Sequence, residues 1–160
     1  MAIRFTRLTA IEKSEIMELM NHPLVRRHLP LLKGNFTESD CSKFISAKES
    51  LWTTYGYGPW ALVVNGKFAG WGGLQHEDGE ADLALVLHPH YWGLGKILYQ
   101  EIMRRAFGEM GLQSVTVLFP ATRTRISGLL RLGFEKVGVL GIDNVCFIRY
   151  RLSKPVANDH

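Results

Sequence analysis

Two carboxylates and two glycines bracket one apolar strand in the middle of this chain. Glu80 and Asp82 stand two residues apart, so strand alternation sends both to one face, with Ala84 and Val86 beyond them. They offer a proton acceptor; a pair of solvated strand-edge charges is the plain alternative. After the apolar run Leu83 to Leu87, Pro89 stops the strand, and Gly93 and Gly95 lead into a helical repeat. A helix N-terminus leaves backbone N–H groups without partners and carries roughly half a positive charge, so it suits a phosphate. Glycine, lacking Cβ, lets the phosphate approach that backbone.

The elements that position these groups are readable from periodicity. Ile97, Leu98, Ile102 and Ala106 recur at helical spacing beside Tyr99, Met103, Phe107 and Met110, while Lys96, Gln100, Glu101, Arg104 and Arg105 form a polar face. The run Leu83 to Leu87 fits a short strand buried on both faces. Two familiar glycine motifs fail here. A dinucleotide fingerprint needs a third glycine where Leu98 stands and an acidic residue about 20 positions on. A Walker-type loop needs Ser or Thr after Gly95-Lys96, where the chain has Ile97.

Elsewhere, Thr9 and Glu12 form a capping-box pattern for a helix carrying Ile11, Ile16, Leu19 and Met20 towards Pro23. A second helix is predicted from Thr37 or Ser39, with Phe44, Ile45 and Leu51. Between them Asn21 to Asn35 is a long connection of the kind that often carries function. Asn65-Gly66 signals a hairpin between strands Pro59 to Asn65 and Lys67 to Leu74, and Glu77-Asp78-Gly79 turns the chain into the strand from Glu80. Ser114 to Phe119, Phe134 to Val139 and Val145 to Leu152 are further strands, with a helix before Leu132. The order implies an α/β fold, a mixed sheet with helices on both faces.

With 160 residues, 46% of them hydrophobic, the chain has the size of one domain, expected to span 1–160, and can bury a substantial core. The start lacks a signal-peptide core, and no apolar run approaches the roughly 20 residues of a membrane span, so a cytoplasmic protein without a membrane partner is expected. Cys41 and Cys146 are far apart and suggest neither a disulfide framework nor a zinc site. His88 and His90 alternate around Pro89 without an evident third ligand, so no metal is expected. A formal charge of +4 favours a polyanionic ligand but is too modest to argue for nucleic acid.

The segment HPHYWGLGK, followed by a helix, a strand, a second helix and LGF at Leu132 to Phe134, resembles the GNAT N-acetyltransferase superfamily. It is most similar to the branch that acetylates ribosomal-protein N-termini, where Tyr-Trp-Gly-x-Gly commonly follows a strand ending in proline. NHPLVRRHLP, NFTESDCSKFI and GPWALVVNGKFAGWGGL extend the likeness over nearly the whole chain. The resemblance implies a mostly antiparallel sheet of about seven strands, splayed at the fourth near Leu85 to Leu87. It implies acetyl-CoA as cosubstrate, with Leu85, Val86 and Leu87 meeting the pantetheine through their main chain. Tyr91, Trp92, Gly93, Leu94, Gly95 and Lys96 would cradle the pyrophosphate, although Trp92 is also expected to pack against the sheet. Seven residues before Pro89, Asp82 falls where that branch usually carries a glutamate, which makes it the first candidate for general base, directly or through water, with Glu80 second. The connection at 21–35 would help wall the acceptor pocket.

Some positions depart from the superfamily pattern. The loop motif opens on His90 rather than Gln or Arg. Twelve, nine and four residues before Phe134, where Asn, Ser and a Tyr acid often stand, this chain has Thr122, Arg125 and Leu130. Thr122 is expected to hydrogen-bond the cofactor arm, and Arg123 or Arg125 to pair with its phosphates; a solvated helix start is the alternative for the arginines. His22, His28 and Arg26-Arg27 lie on the acceptor side and would suit an acceptor carboxylate or acidic peptide.

Three functions fit. The first is acetyl transfer from acetyl-CoA to a primary amine, on a peptide N-terminus or a small molecule. The second is a non-catalytic acyl-CoA sensor, motivated by the missing tyrosine. The third is acetylation of aminoacyl-tRNA, motivated by the basic balance and the TRTR run. A monomer or a homodimer is expected, the latter through an exposed strand near the C-terminus.

Overall fold

The structure is a computed structural model that describes residues 1–156. Its elements run β1 (Ile3–Thr6), α1 (Lys13–Asn21), α2 (Pro23–Arg26), α3 (Glu38–Tyr55), β2 (Pro59–Val64), β3 (Lys67–Glu77), β4 (Glu80–Leu87), α4 (Gly95–Arg104), β5 (Ser114–Pro120), α5 (Ser127–Arg131), β6 (Glu135–Ile142) and β7 (Val145–Ser153). The strands form one seven-stranded sheet ordered β1-β2-β3-β4-β5-β7-β6. Every neighbouring pair is antiparallel except β4 and β5.

Local chemistry explains the meander. Asn65 and Gly66 take φ of 50° and 79°, and Asp78 and Gly79 take 50° and 77°, the left-handed pairs that close two-residue hairpins. Asp143 and Asn144 do the same between β6 and β7. Thr37 caps α3 through a full capping box with Asp40, and Gly56, at φ 78°, ends that helix. On β3 a Cβ at Gly70 would lie 2.1 Å from Val86 O, so glycine is what lets β3 and β4 approach there.

Helices cover both faces. On one, Leu8, Ile16, Leu19, Met20 and Cys41 pack with Ala61 and Trp71, and Ala84 and Val86 lie against them. On the other, Ile102, Met103 and Ala106 of the α4 region pack with Leu74, Ala81, Val115 and Val117, and Leu83 and Leu85 join that side. The start of α4 is held against the end of β4 by Leu98, which packs with Leu87 and with Leu62 of β2; a fully buried aliphatic side chain such as Leu98 contributes about 2 kcal/mol.

Several expectations are corrected. Thr9 does not cap the first helix: Leu8, fully buried, anchors a 3-10 turn over Leu8–Ala10, and α1 starts after Glu12 without a side-chain cap bond. The connection from Asn21 to Asn35 contains α2, and Asn21 ties off its far end by donating to Phe36 O and accepting from Phe36 N, both at 2.9 Å. Leu83 to Val86 are half-buried rather than buried on both faces, because β4 loses its neighbour on one edge. That splay begins earlier than Leu85 to Leu87. The strands β4 and β5 are in register at a single position, Asp82 opposite Thr116.

Candidate active site

Asp82 stands at that single point of contact. Its side chain is 7% exposed, and its Oδ1 accepts a hydrogen bond from the Thr116 hydroxyl at 3.1 Å. Burial raises its carboxyl pKa to about 7, opposed by the Thr116 hydrogen bond, with Glu77 and Glu80 pushing up and Arg149 pulling down. A carboxylate that exchanges its proton near neutrality is suited to general base work. Glu80 lies on the same face, as alternation requires, but its carboxylate is paired with the Arg151 guanidinium. It is therefore committed to a neighbour in a way that Asp82 is not.

The wall opposite Asp82 comes from α3. Lys48 donates to Gln75 Oε1, and β3 places Gln75 directly across from Asp82. The Lys48 ammonium also lies 5.0 Å from the Trp71 ring centroid and 5.2 Å from that of Phe44. Further along, Tyr55 of α3 stacks on His76, with centroids 3.8 Å apart. Sequence reasoning missed Lys48, Gln75 and Thr116. Nothing local marks a lysine within an amphipathic helix or a threonine between two valines; only the register across strands brings them to Asp82.

Past Asp82, β4 is paired with β3 alone, so the edge of Leu83 to Leu87 that faces β5 carries peptide groups without a strand partner. Beyond it, Pro89 to Leu94 forms a 3-10 turn that runs directly into α4. No side chain caps α4, and no acidic residue stands in its first turn. A Cβ at Gly93 or Gly95 would meet nothing within 4 Å, so the backbone at this helix start is left uncovered. Lys96 is exposed beside it. Trp92 does not pack into the sheet as expected. It is 45% exposed, because its indole N–H reaches back to Leu87 O at 2.8 Å and holds the ring at the surface, edge-on to His28.

Thr122, Arg123 and Arg125 lie in the exposed connection between β5 and α5; Arg123 stacks on Phe119 at 3.9 Å. Leu130, at the position often held by a tyrosine acid, is 48% exposed. His88 Nδ1 accepts from His90 N, capping the 3-10 turn, and among the described residues no cluster of three or more His, Cys, Asp or Glu could hold a metal ion. No helix among them is long and apolar enough to cross a membrane. Two open grooves, of about 530 and 550 Å³, lie along α1 and α3; neither is lined by Asp82 or the α4 start.

The site thus joins an uncovered strand edge, a glycine-bearing turn with open space above it at the start of α4, and a buried carboxylate with its pKa raised to about 7. The sequence model of the acetyltransferase (GNAT) domain matches residues 3–135. The chain belongs to the GNAT acetyltransferase family. No curated protein matches it by sequence. Among solved structures it is similar to an acetyltransferase from Agrobacterium tumefaciens (TM-score 0.74, 14% identity, 95% of this chain and 91% of that one). It is also similar to a GNAT-family acetyltransferase from Bacillus anthracis (0.68, 17%, 94% and 93%). A provisionally assigned ribosomal-protein-serine acetyltransferase from Vibrio cholerae resembles it as well (0.68, 17%, 95% and 94%). At these identities the structures show the shared fold, including the mixed sheet with its parallel β4–β5 pair. As a GNAT acetyltransferase the protein is an acyltransferase that uses acetyl-CoA and an acceptor.

Proposed function

We propose that this GNAT domain, taken as one unit over 1–160, acetylates a primary amine on a peptide N-terminus or a small molecule, with Asp82 as general base. One observation carries the reading: a carboxylate buried at the point where β4 and β5 part has its pKa raised to about 7. An ordinary amine is mostly protonated at neutral pH and must lose a proton to become nucleophilic, so the acceptor needs such a group within reach, directly or through one water.

Acetyl-CoA supplies the activated acyl group. The residues fit it: the open edge of Leu85, Val86 and Leu87 suits the pantetheine amides, and the turn from Tyr91 to Lys96, with open space above Gly93 and Gly95, suits the pyrophosphate. Thr122 and Arg125 stand at the exposed end of β5 as further contacts for the arm and a phosphate. Asp82 takes the proton of the acceptor, and Thr116 orients the carboxylate; Glu80 is held by Arg151 and stands second to Asp82 on the same face. No acid is required at Leu130, since a thiol with pKa about 8.5 leaves readily as thiolate.

Asp82→Asn tests this. Transfer to a panel of primary amines and short peptides should fall by about 100-fold or more, with the thermal shift produced by acetyl-CoA unchanged. Transfer that survives the substitution would remove Asp82 from the reaction. A thermal shift with no transfer by the unaltered chain would support the sensor reading instead.

A further inference from the structure

Lys48 reaches from the middle of α3 onto the sheet face that carries Asp82. Its Nζ contacts Gln75 Oε1 and lies 5.0 Å from the Trp71 ring centroid. Trp71 and Gln75 are four residues apart on one face of β3, and the residue between them on that face is Gly73. The β3–β4 register sets Trp71 against Val86, Gly73 against Ala84 and Gln75 against Asp82. An ε-nitrogen that contacts Gln75 and lies 5.0 Å from the ring centroid of Trp71 is placed between them, on the face whose β4 residues are Asp82, Ala84 and Val86. Val86 belongs to the strand edge where the acyl carrier is expected.

The surroundings of this amine also suit an acceptor. None of the salt bridges among the described residues involves Lys48, and its hydrogen bond is to a neutral amide. Burial against the aromatic rings lowers its pKa, favouring the neutral, nucleophilic form, while Glu77 and Asp82 act the other way.

We propose that Lys48 is itself an acetyl acceptor: the enzyme acetylates its own acceptor wall, within one chain. The proposal rests on the acetyl-transfer reading above. The neutral Lys48 Nζ attacks the thioester carbonyl carbon; a C–N bond forms and the C–S bond breaks. The proton lost by nitrogen goes to the Asp82 carboxylate, and the sulfur departs as thiolate to be protonated to the free thiol. No oxidant or reductant takes part. The product is a neutral ε-acetamide that still has an N–H for Gln75 and no longer has a cation beside Asp82.

The test is mass spectrometry of the full chain before and after incubation with acetyl-CoA at pH 8, with peptide mapping, alongside thermal unfolding with acetyl-CoA. One acetyl group should appear on Lys48 at a rate independent of protein concentration, about 100-fold faster than on the exposed Lys67 or Lys154. It should be absent from Lys48→Arg and slowed to the background rate in Asp82→Asn. Acetyl already present at Lys48 before incubation counts in favour only if Asp82→Asn, made in the same cells, lacks it. A thermal shift with acetyl-CoA but no preference for Lys48, or no dependence on Asp82, overturns self-acetylation and leaves the cosubstrate site standing. Neither shift nor acetylation overturns both.

Discussion

The two sides of β4 are built on different principles. Towards α4, the site is made of backbone: an unpaired strand edge, two glycines with open space above them, and a helix start that no side chain caps. Towards α3, it is made of side chains from four elements: Asp82, Thr116, Gln75 and Lys48. Backbone recognition tolerates almost any sequence that keeps the conformation, so it suits a ligand shared by a family. Side-chain recognition changes with each substitution, so it is where acceptor choice can be written.

Substitutions on each side should separate these roles. The largest effect concerns Asp82 and stability. Because burial raises its pKa from 3.8 to about 7, the folded chain keeps a proton that the unfolded chain has released between about pH 4 and pH 7. Stability is therefore greatest below about pH 4 as far as this group is concerned, falls as pH rises to about 7, and is level above. Asp82→Asn has no such proton to lose and should unfold later than the unaltered protein at pH 8, by up to about 4 kcal/mol, with the gain gone near pH 4. Denaturant melts at the two pH values measure this; an equal difference at both would mean that the carboxyl is not desolvated.

Gly70→Ala should damage both sides at once, since its Cβ would lie 2.1 Å from Val86 O and 2.9 Å from Leu87 Cα. A loss of about 3 kcal/mol is expected in chemical denaturation, because backbone has to move. Gly93→Val should discriminate. Its side chain meets open space in the protein, so stability should change by no more than about 1 kcal/mol, while acetyl-CoA binding, followed by calorimetry, weakens about tenfold or more. Unchanged binding would move the phosphate away from this turn. The smallest effect belongs to Thr116→Val. Removing the hydroxyl that favours the ionised form of Asp82 should raise the midpoint of the pH–rate profile by about one unit, with little change in the plateau.

The same contrast explains what could be read from residues alone. The succession of elements along the chain, the hairpins at Asn65-Gly66 and Asp78-Gly79, the Thr37 cap and the glycine turn before α4 rest on local signals, each within a few residues. The orientation of Asp82 followed from alternation by two. What local signals could not supply were features decided by distant packing. Burial of Leu8 displaces the start of α1; the Leu87 carbonyl draws Trp92 to the surface; the early divergence of β4 from β5 exposes one edge of an apolar strand. Lys48 belongs with these, since only the packing of α3 on the sheet brings it to Gln75, opposite Asp82.

The single register point between β4 and β5 has a further consequence for how the molecule breathes. Four strands on one side and three on the other meet at one rung, Asp82 opposite Thr116, so the hydrogen-bond ladder of the sheet falls into two blocks joined at a seam. Amides of Leu83 to Leu87 that point away from β3 should exchange with solvent hydrogen far faster than those that point towards it. A ligand arm laid along that edge would act as an eighth strand and slow them, turning a local seam into part of one continuous sheet.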